Sequence, residues 1–365
     1  MARRQASGVT RPSRRAGARY VSPSMLTTTD RGLYCPAGDF FIDPWRPVDR
    51  AIITHAHGDH LTAGCADYLM AMRGTALART RLGASADRVH GIAYGETRMI
   101  NGVTVSLHPA GHILGSAQIR VESGGEVWVV SGDYKTQGDS TCDPFVPVRC
   151  HTFITESTFG LPIYRWTPQQ QVYDEINAWW RTNAEAGRAS MLLGYSLGKA
   201  QRLLAGLDPT IGPIVTHAAV ETMTAHYRDA GVVLPATRTA ASMMRSDELR
   251  RAMVVAPPNA DGSPWSKRFG EASTAFASGW MRVRGARRWR SLDRGFTLSD
   301  HVDWPSLLSA IDATGAAQVW VTHGFTGPVV RWLTERGLDA RVLATRYEGE
   351  RDDGPEHDAP GEVPA

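Results

Sequence analysis

The chain has 365 residues, 42% of them hydrophobic, and a formal charge of +3. That length allows two domains, each with its own core, and the composition excludes a fibre or a fully disordered polymer. No stretch approaches the ~20 uninterrupted apolar residues of a membrane-spanning helix, and no apolar signal-peptide core follows the basic start, so a cytoplasmic protein with no membrane partner is expected.

Charge is concentrated at the ends. Residues 1–25 read as a disordered basic tail, with Arg3, Arg4, Arg11, Arg14, Arg15 and Arg19 and no acid, and residues 348–365 as a disordered acidic one. A basic arm would add salt-sensitive affinity for nucleic acid, although a solvated arm without function has the same composition. Cys35, Cys65, Cys142 and Cys150 show no CxxC spacing and read as free, mostly buried thiols.

From residue 38 short apolar strands alternate with turns, at 40–42, 51–54, 103–107, 117–121, 127–130 and 152–155, with Gly124-Gly125 closing a hairpin. After residue 165 helices (168–185, 199–207, 219–230, 247–251) alternate with strands (190–193, 214–216, 253–256), which predicts a parallel sheet in a separate α/β layer. A helix at 304–313, a strand at 318–322, a helix at 328–337 and a strand at 340–345 close the pattern.

The strand at 51–54 runs into His55, His57, Asp59 and His60, ligand types for zinc or a similar divalent ion. Residues i and i+2 leaving a strand face one side, so His55 and His57 can share an ion, while Asp59 and His60, past a bend at Gly58, can turn toward another. His112, Asp133 and His323 each follow an apolar strand beside a glycine and are further candidate ligands.

The order HxHxDH at 55–60, then Gly111-His112, then Ser131-Gly132-Asp133, then His323, resembles the metallo-β-lactamase superfamily. The resemblance implies that His55, His57 and His112 hold one ion, that Asp59, His60 and His323 hold a second, that Asp133 bridges them, and that Asp43 supports the histidine loop. Thr155-Glu156-Ser157-Thr158-Phe159-Gly160, the loop 194–202 and Leu298-Ser299-Asp300-His301-Val302-Asp303 resemble the β-CASP nucleases. The fold implied is α/β: an αββα sandwich from 26–160 and 296–347, interrupted by a β-CASP cap at 161–295.

The tracts 256–258, 263–265 and 276–281 resemble the bacterial branch of DNA ligase-associated exonucleases. That implies a DNA exonuclease in repair, using two divalent ions, Zn²⁺ or else Mn²⁺, and associated with an ATP-dependent DNA ligase. An RNA-processing nuclease of the same architecture is the alternative, since the metal ligands do not read a 2′-hydroxyl. A small-molecule metallo-hydrolase would have no use for a large cap, and a non-catalytic scaffold subunit should have lost ligands.

Phosphodiester hydrolysis at two ions needs water as nucleophile and a proton for the departing sugar oxygen. His301, held by Glu156, is the expected donor, and with Asp59 completes the catalytic set; the competing reading has His301 capping the next helix. Gly194-Tyr195-Ser196-Leu197-Gly198 also fits a G-x-S-x-G elbow, but a serine nucleophile would leave the metal-type ligands unexplained. Its glycine-rich turn is instead expected to hold a substrate phosphate through Ser196, Lys199 and Arg202. The run 280–290 interleaves arginines with Trp280 and Trp289, suited to phosphates and bases, or else a solvated strand face.

Overall fold

The computed structural model describes residues 24–240, 246–283 and 292–345. Most of the expected basic tail, the acidic tail and positions 284–290 of the arginine-rich run lie outside the described residues; Met25, assigned to the tail, is buried in the core.

Two sheets face one another. The first has six strands in chain order, β1 (Thr27–Thr29), β2 (Gly32–Cys35), β3 (Phe40–Ile42), β4 (Arg50–Ile52), β5 (Asp67–Ala71) and β6 (Val89–Ile92). The second contains β7 (Thr97–Ile100), β8 (Val103–Pro109), β9 (Ala117–Ser123), β10 (Glu126–Val130), β11 (Thr152–Ser157), β18 (Gln318–Gly324) and β19 (Asp339–Val342), in the order β19-β18-β11-β10-β9-β8-β7. Strand alternation sends Leu33, Phe40 and Ile42 from one sheet and Val105, Leu107, Ile119 and Ile154 from the other into a shared core. Helix α1 (Thr75–Leu82) covers the outer face of the first sheet through Leu77, Ala78 and Leu82. Helices α6 (Trp304–Thr314) and α7 (Thr326–Thr334) cover the second through Leu307, Ile311, Val329 and Leu333. The layers therefore run helix, sheet, sheet, helix.

A third sheet is wholly parallel: β12 (Ser190–Leu193), β13 (Ile214–Thr216), β14 (Arg238–Thr239), β15 (Met253–Ala256), β16 (Ser273–Ala277) and β17 (Arg294–Phe296), in the order β14-β13-β15-β12-β16-β17. Its inner strands β12, β13, β15 and β16 are almost continuously buried because both faces are covered. Leu192, Val255 and Ala275 face α2 (Gln169–Glu185) and α3 (Lys199–Ala205), whereas Met191, Val254 and Phe276 face Phe269 and Met281. Tyr227 of α4 (Ala218–Asp229) docks this unit on the first sheet: it packs with Ile113 and Leu114, and its hydroxyl accepts from the Leu114 N–H at 3.1 Å.

The differences from the sequence reading are local. The strand expected at 51–54 ends at Ile52, because the Thr54 N–H leaves the ladder for the Asp43 side chain. The tract Gly279–Arg282 is a 3₁₀ turn rather than a strand, with Ser278 Oγ accepting from the Trp280 N–H at 3.2 Å. All four cysteines are free, three of them buried. No helix among the described residues is long and apolar enough to cross a membrane.

Trp180 is fully buried in the core of the third sheet, and its Nε1–H donates to the Arg251 carbonyl at 2.9 Å. Trp180→Ala empties a large volume and orphans that carbonyl, so it is expected to cost about 3–5 kcal/mol, read as a lower urea midpoint.

Candidate metal centre

Asp43 organises the histidine loop. It follows β3 with φ +42°, a left-handed conformation that aspartate tolerates better than most residues. From there its carboxylate accepts the Thr54 N–H at 2.8 Å, the Thr54 hydroxyl at 2.6 Å and His60 Nδ1–H at 2.7 Å. The His57 carbonyl accepts from the N–H groups of both His60 and Leu61, which closes the turn; Gly58 itself has no left-handed φ. Gly132, beside Asp133, has φ +57°, and a Cβ there would stand 2.6 Å from Thr54 Cβ, so only glycine lets the aspartate loop approach the histidine loop.

The loops converge on Asp133. His55 Nε2 and His112 Nε2 each lie 3.1 Å from His57 Nδ1. Asp133 Oδ2 is 3.6 Å from His55 Nε2, 3.4 Å from His60 Nε2 and 3.9 Å from His112 Nε2, and Oδ1 is 3.8 Å from His323 Nδ1. One candidate ligand group thus comprises His55, His57, His112 and Asp133, and another His60, Asp133 and His323, the atoms of each within 4.8 Å of one another. Asp59 stands at the more exposed side, its Oδ2 3.6 Å from His60 Nε2. His323 enters through a bulge: β11 and β18 stay in register to Glu156 opposite Thr322, then pair Ser157 with Gly324, and His323, at φ +54°, is the extra residue.

Proton positions follow from the outer partners. His57 Nε2–H donates to the Leu197 carbonyl at 3.2 Å, and His112 Nδ1–H to the Asp300 carbonyl at 2.9 Å. The Thr54 hydroxyl hydrogen goes to Asp43, so its oxygen accepts from His55 Nδ1–H at 3.0 Å. Three unprotonated ring nitrogens are therefore left facing one another, an arrangement that repels unless a cation sits among them. A tetrahedral ion with ~2.0–2.1 Å bonds to nitrogen spaces its ligands ~3.3 Å apart, close to the separations here. Buried His60 Nε2 and Asp133 Oδ1 likewise have no hydrogen-bond partner among the described residues. The donor set fits divalent ions.

At His55 and His112 electrostatics agree with this. Burial, then the neighbouring imidazoles, hold His55 and His112 well below the usual histidine range, so both are neutral, the form that ligates metal. Burial would also depress His60, but Asp59, Asp133 and Asp43 outweigh it and raise His60 well above that range. Burial would raise Asp133, yet His60 and His301 outweigh it and keep Asp133 well below the usual carboxylate range.

Glu156 and His301 adjoin this cluster. His301 Nδ1 lies 2.9 Å from both Glu156 oxygens, and Glu156 Oε1 also accepts the Tyr134 N–H at 2.9 Å. Asp133, Glu156 and His301 form a third close group. Capping of α6 falls to Asp303, which accepts from the Ser306 N–H at 3.1 Å, so His301 has no capping role.

The expected phosphate contacts are corrected. Lys199 and Arg202 are at most 2% exposed. Lys199 Nζ donates to the Leu298 carbonyl at 2.8 Å and pairs with Asp300 at 2.9 Å, and Arg202 pairs with both Asp139 and Asp300, so neither offers donors to a substrate. Ser196 is buried in the same turn, its carbonyl accepting from Gln201 Nε2 at 3.0 Å. Half-buried Trp280 packs among Phe159, Tyr164 and Phe325. Sequence reasoning missed Thr54, Asp139, Asp300 and the Leu197 carbonyl. Of these only Asp300, beside His301, carried any signal.

No family model matches the chain. A protein named probable DNA ligase from Opitutus terrae is 33% identical over 315 residues, which are 86% of this chain and 30% of that one. Endoribonuclease YSH1 of Yarrowia lipolytica is 30% identical over 129 residues, 35% of this chain and 15% of that one. Cleavage and polyadenylation specificity factor 73 of Drosophila melanogaster is 29% identical over 129 residues, 35% of this chain and 19% of that one. The chain thus spans less than a third of the length of each of these relatives. A crystal structure of an Enterococcus faecalis protein of unknown function aligns with TM-score 0.54 over 82% of this chain and 80% of that one, at 11% identity, a likeness of fold.

Proposed function

We propose that this chain is a two-metal phosphodiesterase that degrades DNA, acting as an exonuclease in repair. The observation that carries the reading is the hydrogen-bonded Glu156–His301 pair set against a histidine cluster that shares one carboxylate, Asp133. His55, His57, His112 and Asp133 would hold one ion, and Asp59, His60, Asp133 and His323 the other, with Zn²⁺ first and Mn²⁺ second. Ions so held supply Lewis-acid activation of water and neutralise the charge that develops on the phosphate.

The chain's own residues do the rest. Glu156 accepts from His301 Nδ1–H, which stabilises the imidazolium and presents Nε2–H to the leaving sugar oxygen. Asp43 and Thr54 keep His55 and His60 in the tautomers that face inward. Half-buried Trp166 donates to the His301 carbonyl at 2.9 Å, and half-buried Trp280 and Phe325 belong to the aromatic cluster that continues from it, so the three would offer faces for bases. DNA is favoured because the long alignment is to a protein named for DNA ligation, which also supports partnership with a ligase; RNA is the second reading, since the matches to proteins named endoribonuclease cover about a third of the chain.

Zn²⁺ or Mn²⁺ should raise the melting temperature of chelator-stripped protein by mass action, and Asp133→Ala should abolish most of that rise. On end-labelled single-stranded DNA, duplex DNA and RNA, the His57→Ala/Asp59→Ala double variant should release no product; wild-type rates from that variant on every substrate would sink the nuclease reading. His301→Ala should slow turnover on the order of 10²–10⁴-fold. Glu156→Gln, which removes the carboxylate that holds His301, should slow turnover in the same direction.

A further inference from the structure

Two of the three inward-facing histidines are steered by carbonyls that lie off the two facing sheets. The Leu197 carbonyl on His57 belongs to the turn entering α3, and the Asp300 carbonyl on His112 to the return segment before α6. Both segments are fixed by one buried ionic knot. The Asp300 carboxylate meets Lys199 Nζ at 2.9 Å and Arg202 Nη1 at 2.8 Å, and Arg202 Nε reaches Asp139 at 2.5 Å. Arg202 also donates to the Ser299 carbonyl at 3.1 Å and to the carbonyl of His112 itself at 3.0 Å. The knot sets two cations against two carboxylates, with the buried Lys135 beside them. The turn before it is pressed against the residue after His112: Gly198 has φ +87°, and a Cβ there would stand 2.3 Å from Ile113 Cγ2.

Buried ion pairs add little net stability, since the cost of desolvating the charges offsets their attraction. What this one does is geometric, because its donors end on the carboxylate of Asp300, whose own carbonyl orients His112, and on the carbonyls of Leu298, Ser299 and His112 around it. We propose that Lys199 and Arg202 are positioning residues of the metal centre: by clamping Asp300 and the Leu197 turn they fix the acceptors on His112 and His57. The His55–His57–His112 position then depends on the parallel-sheet unit for its affinity. This rests on the metal-centre reading above. An imidazole whose outer N–H has a fixed acceptor is held in one tautomer and is the more basic ligand; without it, ring rotation and tautomer exchange compete with binding.

The test uses the full chain, Zn²⁺ as probe, chelator competition for affinity and elemental analysis for ions per chain. Arg202→Gln and the charge-balanced Lys199→Met/Asp300→Asn should each weaken one of the two ions by about 10–100-fold and spare the other, with partial rescue in Arg202→Lys. Folded variants that keep both affinities, or lose both ions equally, would overturn the clamp. Should the variants fail to fold, hydrogen exchange on wild type decides: Zn²⁺ should slow exchange at 197–203 and 298–302 as well as at 55–60. Slowing confined to 55–60 and 133 would overturn the proposal. A wild-type chain that binds no Zn²⁺ would instead remove the metal-centre reading itself.

Discussion

Everything around the centre follows from one constraint: imidazoles at 3.1 Å with their lone pairs toward one another repel unless something positive lies between them. The protein accepts that repulsion by giving each outer nitrogen an oxygen to bind, from Thr54, Leu197, Asp300 and Asp43 in turn. Each oxygen is itself held, by Asp43 on one side and by the Arg202 knot on the other. The strained φ of Asp43 and His323 belongs to the same arrangement, since each delivers a side chain that a regular strand would have aimed elsewhere.

The division of labour between the sheets follows from burial. The two facing sheets give a rigid rim on which β11 and β18 deliver Glu156 and His323 side by side. Among the described residues the parallel-sheet unit supplies no candidate ligand; it supplies the Leu197 carbonyl and a wall. That is why a glycine-rich turn stands where a phosphate-holding loop was expected, with its charged side chains turned inward and its Leu197 carbonyl turned toward His57.

Sequence alone was informative where chemistry and periodicity coincide. The 55–60 cluster, His112, Asp133 and His323 stood out because ligand types at strand ends are costly to leave bare, and the structure brings all of them but Asp59 into close groups that share Asp133. The long helix α2 and strands β12 and β15 were visible from apolar pattern. Short elements such as β1, β2 and α1 were not, because three or four residues carry no period and the sequence Thr75–Leu82 has no clean apolar face. Lys199 and Arg202 were misread for a physical reason: a cation after a glycine turn has the same local sequence whether it meets a phosphate or a carboxylate, and Asp139 and Asp300 lie far along the chain.

The parallel pairing of β11 with β18 joins Ser157 to Thr322 across 165 residues. During synthesis the histidine loop and Asp133 emerge long before the strand that carries His323, and β11 waits with an open edge while the whole parallel sheet is made. The centre is therefore closed only after the parallel sheet has been made. A truncated product that stops short of β18 holds most of its ligands yet exposes an unpaired strand, a species prone to aggregate and not to cut.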